Sequence, residues 1–411
     1  MDILFVVPYV PSLIRVRPYN LIRSLSQRGH RVSVMTLWSD EKEQADVERL
    51  RELCFEVLAL PMARWRSMWN CLLALPTWTP LQAVYSWHPG LAYQIDNRVI
   101  GNGLHSYDVI HIEHLRGVRY GLFIKAHHPN LPVVWDSVDC ISYLFAQAAG
   151  QSRSVFGKLM TQFELGRTRL YEGRLPARFD HVLVTSPVDR RELMNLAPEG
   201  VTSTPVSVVP CGVDLDYFRP GEPEDREPAT VIFSGKMSYH ANVTMALYLA
   251  NEVMPLVWHE CPDVQLIIVG KDPPGNIKSL ASSQMIKVTG TVDEIRPYLQ
   301  RATVAAVPLI YGAGLQNKVL EAMACATPVV ATPRAVSALR ARAGRDLLVA
   351  EDAGEFARHI LDLISDPVHQ RKLGRAGRQY VEQYHEWDSV ATQLEGIYHE
   401  VIHPKSGIPG K

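Results

Sequence analysis

A glycine-flanked turn that leads into a lysine and a glutamate carries the most informative chemistry in this sequence. Residues 311–324 read Tyr-Gly-Ala-Gly-Leu-Gln-Asn-Lys-Val-Leu-Glu-Ala-Met-Ala and follow a short apolar run that is typical of a buried strand. Glycines let a backbone approach a ligand closely, and free N–H groups at a helix start favour phosphate. A lysine in the first turn is normally disfavoured by the helix dipole, so Lys318 makes sense beside a bound anion. Glu321 shares its face, where a carboxylate can accept hydrogen bonds from a ribose diol.

We predict a binding site for a phosphorylated ligand on this segment. The predicted residues are Gly312, Ala313, Gly314, Leu315, Gln316, Asn317, Lys318 and Glu321. The alternative is an ordinary loop followed by a solvated Lys–Glu pair, and the glycine pair after a strand makes it the weaker interpretation.

Two further turns follow strand-like runs in the same half of the chain. Ser234-Gly235-Lys236 places a lysine in a small-residue turn, which suits a diphosphate. Gly290-Thr291-Val292 could frame a nucleotide base through its backbone groups. Because ligands of open parallel sheets bind beyond the carboxyl ends of the strands, the predicted site also includes Gly235, Lys236, Thr291 and Val292.

The N-terminal half places ionisable side chains at the end of one strand-like run, in the sequence Asp-Val-Ile-His-Ile-Glu-His at 108–114. His114 or Glu113 could hydrogen-bond a sugar hydroxyl or relay a proton. Either can equally be a structural residue whose hydrogen bonds are satisfied within the fold.

Acidic and basic residues follow two other strands of this half. Asp136 and Asp139 could face a second substrate, or they could cap a helix that starts near residue 142. Arg15 and Arg17 come after the first strand and could reach a phosphate, although arginines are common on protein surfaces. The candidate catalytic residues are His114, Glu113 and Asp139, and the candidate diphosphate or acceptor contacts are Arg15 and Arg17.

The cysteines and histidines give no pattern typical of a bound metal. The six cysteines are scattered and form no Cys-x-x-Cys pair, and the paired histidines at 127–128 lie in a polar loop before a proline. We therefore expect no metal and no other cofactor. The charge of a departing diphosphate would then have to be met by lysines, arginines and helix N-termini.

The bulk composition is that of an ordinary globular protein. Of the 411 residues, 47% are hydrophobic and 21% are charged, which gives enough apolar material for two full cores. The formal net charge of -1 makes nucleic acid an unexpected partner. The start of the chain lacks the basic region of a signal peptide, and no apolar run reaches the ~18 residues of a spanning helix. We expect a cytoplasmic protein that could still lie on the inner face of a membrane.

Apolar runs and helical spacings alternate along the chain in the manner of a doubly wound α/β fold. Strands are predicted at 2–7, 31–37, 109–112, 133–135, 182–185, 206–209, 230–234, 264–269, 286–289, 304–308 and 328–331. Helices are predicted at 18–28, 242–257, 293–301, 316–325, 354–365 and 387–401. The predicted domains are an N-terminal domain at 1–213, a linker at 214–228, a second domain with the predicted phosphate-binding turns at 229–386, and a last helix with its tail at 387–411.

One segment departs from this pattern. Residues 64–88 hold four of the eight tryptophans, together with Arg64 and Arg66. The segment could be a helix packed on the N-terminal core. It could instead be a lip beside the acceptor that contacts lipid head groups, because amphipathic aromatic and basic side chains favour interfaces.

Three stretches of the chain resemble a known family. Residues 314–332 resemble the signature of the group 1 glycosyltransferases of family 4, residues 209–220 resemble their hinge-side motif, and the ending at 387–398 is similar to theirs. The resemblance covers essentially the whole chain. It implies a GT-B fold, with two Rossmann-like domains whose parallel sheets face each other across a cleft, and a C-terminal helix that crosses back to the N-terminal domain.

The resemblance also implies an activity and partners. Members are metal-independent, retaining transferases, so we expect transfer of a hexosyl-type group from a nucleotide-diphosphate sugar to a hydroxyl of a glycan, glycolipid or small molecule in cell-surface polysaccharide synthesis. The nucleotide sugar and a glycan or lipid-linked acceptor are then the partners. A nucleotide-sugar epimerase, which can share this fold, and a non-catalytic nucleotide-sugar-binding partner protein are the alternatives.

Individual residues carry the resemblance to different degrees. Glu321 matches the second glutamate of the family's Glu-x7-Glu pair, which holds the ribose, and Lys236 matches the basic residue that meets the diphosphate. His114 lies one position beyond the histidine that meets the donor sugar in many members.

Two positions depart from the family pattern. The first glutamate of the pair falls on Ala313, and the second diphosphate lysine falls near the neutral Asn242. We hypothesise that Lys318 supplies this lost positive charge from the other side.

Overall fold

The computed structural model describes residues 1–12, 14–100, 107–149, 155–198, 204–222, 226–311 and 315–404. The chain divides into two compact units. The first unit is Met1–Cys211 together with Trp387–Lys411, and the second is Gly212–Glu386. Each unit has its own parallel sheet and its own hydrophobic core.

The described part of the first unit has seven parallel strands in the order β3-β2-β1-β4-β5-β6-β7. They are β1 Asp2–Val7, β2 Arg31–Trp38, β3 Glu56–Pro61, β4 Val109–Glu113, β5 Val133–Val138, β6 His181–Val184 and β7 Val206–Val208. The strands are continuous apolar runs because helices cover both faces of the sheet. With the order reversing at β1 and β4, the carboxyl ends of these two strands mark the place where an open sheet binds ligands.

The helices of the first unit lie on both faces of that sheet. They are α1 Val16–Gln27, α2 Glu41–Leu53, α3 Arg64–Ala74, α4 Leu81–Tyr85, α5 Pro89–Ile100, α6 His114–His127, α7 Ile141–Ala149, α8 Val155–Arg174, α9 Pro187–Asn195 and α18 Trp387–Ile402. The last helix, α18, packs beside α1 and places Trp387, Leu394 and Tyr398 in the core of this unit. The prediction that the C-terminal helix returns to the N-terminal domain is confirmed.

The second unit repeats this architecture. Its strands, in the order β10-β9-β8-β11-β12-β13, are β8 Thr230–Ser234, β9 Gln265–Val269, β10 Ile286–Gly290, β11 Val304–Val307, β12 Val329–Ala331 and β13 Leu348–Val349. Its helices are α10 His240–Tyr248, α11 Met254–Glu260, α12 Gly275–Lys278, α13 Arg296–Arg301, α14 Asn317–Ala324, α15 Pro333–Val336, α16 Ala353–Ser365 and α17 Pro367–Tyr384. All pairs of adjacent strands are parallel.

The predicted fold class, α/β with two parallel sheets, is confirmed, and the predicted elements differ from the observed ones in places. The helix predicted at 242–257 is interrupted by a π-helical turn at Leu249–Val253. The segment 64–88 forms α3 and α4 with a loop between them. Elements for which no prediction was made include β3, β13, α2, α5, α8 and α17. Within the described residues, no helix is both long and apolar enough to cross a bilayer.

Candidate functional site

The second unit brings two glycine turns into close contact at the carboxyl edge of its sheet. Gly235 follows β8 and Gly270 follows β9. A Cβ on Gly270 would lie 1.8 Å from the carbonyl oxygen of Gly235, and a Cβ on Gly235 would lie 2.8 Å from Asn242 Nδ2. Only glycine allows the backbone to pass this closely, so these residues fix the shape of the turn that carries Lys236.

Lys318 lies against the same turn. It is the second residue of α14, and its Nζ donates a hydrogen bond of 2.5 Å to Asn242 Oδ1. Asn242 Nδ2 in turn donates to the carbonyl oxygen of Lys236 over 2.8 Å. The Lys318 ammonium also lies 5.0 Å from the ring centroid of Phe233. The amide of Asn242 therefore links the lysine of the helix start to the turn after β8.

The positive charge of Lys318 has no close negative partner among the described residues. Burial lowers the pKa of Lys318 to about 8, and the carboxyl group of Glu321 opposes that shift. No carboxylate oxygen of the described chain lies within 4.0 Å of its Nζ. Burial also raises the pKa of Glu321 to about 7, with Lys318 acting in the opposite direction. A half-buried cation at the positive end of a helix, beside a carboxyl group whose pKa is raised, is an arrangement that an anion would stabilise.

A histidine and a tyrosine, whose contact the sequence did not reveal, hold the start of the glycine-rich loop. The hydroxyl of Tyr311 forms hydrogen bonds with His240 Nδ1 and, over 3.1 Å, with Thr244 Oγ1. His240 begins α10, the first helix after β8, and its place in the segment that follows this strand was the sequence signal that could have identified it. The predicted residues Gly312, Ala313 and Gly314 lie outside the described residues.

The other predicted donor residues lie around this edge. Leu315 is half-buried against the core, Gln316 directly precedes α14, and Asn317 is the exposed first residue of that helix. Thr291 is exposed and Val292 is half-buried just after β10. The N–H of Gly270 donates to the carbonyl oxygen of Gly290 over 3.2 Å, so the turns after β9 and β10 are joined.

The corresponding edge of the first unit carries a buried ion pair. Arg17 donates to Asp136 Oδ2 through Nε over 2.9 Å, and its Nη2 lies 2.7 Å from the same oxygen. Both side chains are buried, and Arg17 Nη1 also donates to the carbonyl oxygen of Pro210 over 3.1 Å. A pair of this kind leaves little of the guanidinium for a ligand, so the phosphate contact expected of Arg17 would have to compete with Asp136.

Arg15 is also paired with a carboxylate. Its Nη2 lies 2.8 Å from Glu43 Oε1, and its guanidinium stacks 4.7 Å from the ring centroid of Tyr9. Unlike Arg17, this side chain is 37% exposed, which leaves part of it accessible to a phosphate.

A buried polar network surrounds Glu113. Its Oε2 lies 3.4 Å from His111 Nε2, and the hydroxyl of Tyr9 donates to its Oε1 over 3.4 Å. The hydroxyl of Tyr398 lies 2.8 Å from His111 Nδ1. Burial and the nearby Asp136 raise the pKa of Glu113. This carboxyl group is enclosed by protein, so its placement favours the structural alternative over contact with a sugar.

Among the described residues, the same network contains the candidate metal-binding cluster. His111, Glu113 and Asp136 each place a potential ligand atom within 4.8 Å of the others. All three groups already have partners, because Arg17 pairs with Asp136, Tyr398 bonds to His111 and Tyr9 donates to Glu113. A guanidinium beside the ligand atoms repels a cation, so the donor set does not fit a divalent ion.

The expectation of no metal assumed that the chain lacks an Asp-x-Asp spacing, which is wrong, because one occurs at Asp214-Leu215-Asp216. Asp214 Oδ1 accepts hydrogen bonds from the backbone N–H groups of Asp216, over 3.2 Å, and Tyr217, over 3.0 Å. The first aspartate of the pair closes a turn.

His114 lies at the end of β4 in a strained conformation. Its φ is 62°, and Val138 at the end of the neighbouring β5 has φ 67°. Positive φ costs energy in residues other than glycine, most of all in β-branched ones, and such strain concentrates at functional sites. Burial lowers the pKa of His114 to about 4, so the ring is neutral at pH 7. Its Nδ1 accepts from the N–H of Arg116, which leaves the proton on Nε2 as a donor.

Asp139 follows Val138 and has a perturbed carboxyl group. Burial, followed by the charge of Asp189, raises its pKa to about 7. It does not cap α7, although the sequence allowed that role for it. The carboxylate of Glu172 instead accepts from the N–H groups of Ile141 and Ser142, each over 2.8 Å. Asp136, the other residue considered for capping, pairs with Arg17.

Strand-end glycine turns on one parallel sheet and ionisable strand-end residues on another define a protein with two Rossmann-like units. The chain matches two family models that follow each other along it. Residues 15–217 match Glycosyltransferase Family 4, and residues 228–366 match Glycosyl transferases group 1. The chain belongs to the group 1 glycosyltransferases of family 4.

Several sequence relatives carry names that state an activity. An MMP alpha-(1->4)-mannosyltransferase of Mycolicibacterium hassiacum is 27% identical over 241 residues, which is 56% of each chain. A GDP-mannose-dependent monoacylated alpha-(1-6)-phosphatidylinositol monomannoside mannosyltransferase of Corynebacterium glutamicum is 28% identical over 211 residues, 46% of this chain and 55% of that one. The chain thus spans about half the length of these two relatives.

One relative matches along almost its whole length. An uncharacterized 44.6 kDa protein in the cps region of Klebsiella pneumoniae is 21% identical over 384 residues, 90% of this chain and 92% of that protein.

Solved structures share the fold. A sucrose-phosphate synthase from Thermosynechococcus elongatus has a TM-score of 0.67 at 17% identity, covering 98% of this chain and 100% of that one. HepE from Anabaena, in complex with UDP, has a TM-score of 0.62 at 15% identity, covering 97% and 99%. The predicted GT-B fold is confirmed.

Proposed function

We propose that the protein is a retaining glycosyltransferase that uses a nucleotide-diphosphate sugar and needs no metal ion. The single observation that carries this proposal is Lys318, a half-buried cation at the start of α14 whose partner is the neutral side chain of Asn242. The family assignment supports transfer of a sugar. The UDP complex of a structural neighbour supports a nucleotide donor.

The donor's diphosphate is bound by groups of the second unit. The Lys318 ammonium, the exposed Lys236 and the N–H groups at the start of α14 all offer positive charge at the carboxyl edge of the sheet. Glu321, on the same helix face as Lys318, accepts hydrogen bonds from the ribose hydroxyls. These groups supply what a divalent cation would otherwise supply, which is stabilisation of the leaving diphosphate.

Transfer breaks the bond between the anomeric carbon and the diphosphate oxygen, and that oxygen leaves with the bonding electrons. The acceptor hydroxyl oxygen forms the new bond to the anomeric carbon on the same face, which retains the configuration. The hydroxyl proton passes to the departing diphosphate oxygen. In the first unit, His114 has its Nε2–H available as a hydrogen-bond donor, and Asp139 has a carboxyl group with a pKa of about 7. No protein nucleophile takes part in this scheme.

The acceptor is a glycan or lipid-linked hydroxyl in cell-surface polysaccharide synthesis. The match to the protein of the Klebsiella pneumoniae cps region, along 90% of this chain, supports that role. A relative named for a phosphatidylinositol mannoside supports an acceptor at a membrane. The protein then acts at the cytoplasmic face of that membrane, which the contact predicted through residues 64–88 would bring within reach.

Thermal unfolding with a panel of nucleotide sugars tests the donor proposal, because a ligand that binds the folded state raises the melting temperature. The panel includes GDP-mannose and UDP-glucose with EDTA throughout, and each active compound is compared with its free nucleoside. Lys318→Gln should reduce the gain of the nucleotide sugar over the nucleoside, and Lys372→Gln, an exposed lysine of α17, should not. Stabilisation or turnover that appears only with Mg²⁺ would show that the metal-independent mechanism is wrong.

A further inference from the structure

Helix α3 packs with its small residues inward and its large apolar residues outward. Its buried residues are Ser67 and Ala74. The exposed fractions of its large side chains are 64% for Trp65, 72% for Met68, 55% for Trp69, 54% for Leu72 and 59% for Leu73. Positions 65, 68, 69 and 72 follow the spacing of one helix face, so the helix presents an apolar stripe to solvent. Soluble proteins rarely leave such a stripe uncovered.

The apolar surface continues beyond the helix. In the loop that follows, Leu75 is 43% exposed and Trp78 is 74% exposed, and Phe163 on α8 is 48% exposed. We define the docking surface as Trp65, Met68, Trp69, Leu72, Leu73, Leu75, Trp78 and Phe163.

Helix α8 holds the loop of the docking surface in place. The buried Arg167 donates through Nη2 to the carbonyl oxygen of Ala74, over 2.6 Å, and also to that of Thr79. Glu164 accepts from the N–H of Leu81 over 2.8 Å and pairs with Arg167 over 2.6 Å. Arg167 and Glu164 therefore hold the backbone of the loop that carries Trp78. The indole is exposed although the loop around it is fixed by these hydrogen bonds.

The charge around the docking surface is of one sign. Between residues 57 and 95 the sequence has no aspartate, glutamate or lysine, and its charged residues are Arg64 and Arg66. On the described side chains of α8, the acidic groups Glu164 and Glu172 are buried, while Arg169 and Arg174 are exposed. The exposed ionised groups beside the apolar stripe are therefore arginines, which complement a negatively charged surface.

A hollow of about 640 Å³ opens behind α3. Its lining includes Leu73, Trp87 and Phe123, and its charged residue is Arg119, stacked 4.6 Å from the ring centroid of Trp87. The hollow also has the polar side chains of Asn70, Thr77 and Thr79 in its lining, so it shares with the docking surface its aromatic residues and its single type of charge.

We propose that this docking surface binds the plane of an anionic lipid bilayer. Three tryptophans, exposed leucines and flanking arginines are the composition of a helix that lies in a membrane interface, with its apolar face in the acyl boundary and its cations at the head groups. The 11 residues of α3 would extend only about 16 Å, so the helix lies on the bilayer. A second copy of the chain fits less well, since self-association would bring the same arginines together.

Vesicle co-sedimentation of the full chain tests this proposal. The wild type should bind vesicles of phosphatidylcholine with about a quarter phosphatidylglycerol, bind pure phosphatidylcholine more weakly, and lose affinity as salt is added. Trp69→Asp combined with Leu72→Asp should lower the partition coefficient by at least about tenfold. Leu256→Asp, at a leucine of α11 that is 46% exposed, is the matched control and should bind like the wild type.

The readouts separate this proposal from the donor proposal. Both variants should keep the melting temperature and its rise with nucleotide sugar, because neither position belongs to the donor site. Arg64→Gln combined with Arg66→Gln should remove most of the preference for anionic vesicles. Equal vesicle binding by wild type and the Trp69/Leu72 variant would overturn the proposal. So would a wild-type dimer that does not bind vesicles and that this variant converts to a monomer.

Discussion

The carboxyl edges of the two sheets differ in the partner that each gives to a positively charged side chain. In the first unit, Arg17 and Asp136 are both buried and form an ion pair of 2.7 Å. In the second unit, the Lys318 ammonium meets the neutral amide of Asn242 over 2.5 Å. The first arrangement is electrostatically complete within the protein. The second leaves a positive charge that a ligand can complete, which is why we assign the anionic donor to the second unit.

This difference shows how to distinguish charge that maintains a fold from charge that binds a ligand. Removing one partner of a completed buried pair leaves the other partner uncompensated, so stability falls. Removing a half-buried cation that lacks an anionic partner costs the free protein little, and the loss appears in ligand affinity.

The largest expected effect is on the stability of the first unit. Arg17→Met leaves the Asp136 carboxylate buried without its cation and should lower the free energy of unfolding by about 3–5 kcal/mol. Urea denaturation followed by circular dichroism measures this change. Arg17→Met combined with Asp136→Leu should recover part of the loss, because no uncompensated charge remains. A single variant as stable as the wild type would contradict the view that this edge is a structural pair.

The next effect is on donor affinity in the second unit. Lys318→Gln should weaken binding of a nucleotide-diphosphate sugar about 10- to 100-fold, the equivalent of one charge-assisted hydrogen bond of about 1.5–3 kcal/mol. Isothermal titration calorimetry measures the affinity, and the free energy of unfolding should not fall.

A charge exchange sharpens this prediction. Adding Asn242→Lys to the Lys318→Gln variant returns an ammonium to the neighbouring side chain and should restore most of the affinity. If the double variant remains folded but does not bind the donor, a positive charge at residue 242 cannot replace the one at residue 318.

Donor affinity should also depend on pH. Lys318, with a pKa lowered to about 8 by burial, loses its positive charge as pH rises above that value, so binding weakens there. Glu321, with a pKa raised to about 7 by burial, is protonated below that value and accepts hydrogen bonds from the ribose less well. Affinity should be greatest between these values and should fall on both sides. Lys318→Gln should remove the fall in affinity above about pH 8. If that fall persists in the variant, another group causes it.

The smallest expected effect is on stability when the ion pair between Arg15 and Glu43 is removed. This pair is more exposed than the pair between Arg17 and Asp136. Glu43→Gln removes the charge that meets Arg15 over 2.8 Å and should change the free energy of unfolding by less than about 1 kcal/mol, because solvent screens the partly exposed guanidinium. Urea denaturation of this variant beside Arg17→Met gives the contrast directly. A loss as large as that of Arg17→Met would show that burial is not what separates the two pairs.

Sequence reasoning predicts features that depend on local order. The continuous apolar strands, the helix after the glycine pair and the Lys318–Glu321 spacing are all set by neighbouring residues, and the structure has them where they were expected at 230–234 and 317–324. The roles assigned to these site residues stay predictions.

Contacts between distant residues could not be predicted in this way. Glu172 caps α7 from 31 residues away, and Tyr398 reaches His111 across 287 residues. Arg17 could not be identified as buried, because its partner Asp136 is 119 residues further along the chain. In α3 the helical spacing was visible, but spacing alone does not say whether the apolar face meets a core or the solvent.

The return of α18 to the first unit has a consequence for biosynthesis. Trp387, Leu394 and Tyr398 complete a core whose other members are translated before residue 212. A ribosome-bound chain can therefore assemble the second unit from one continuous segment while the first still exposes the apolar groove that α18 will fill. The unit that is synthesised first is the one that finishes folding last.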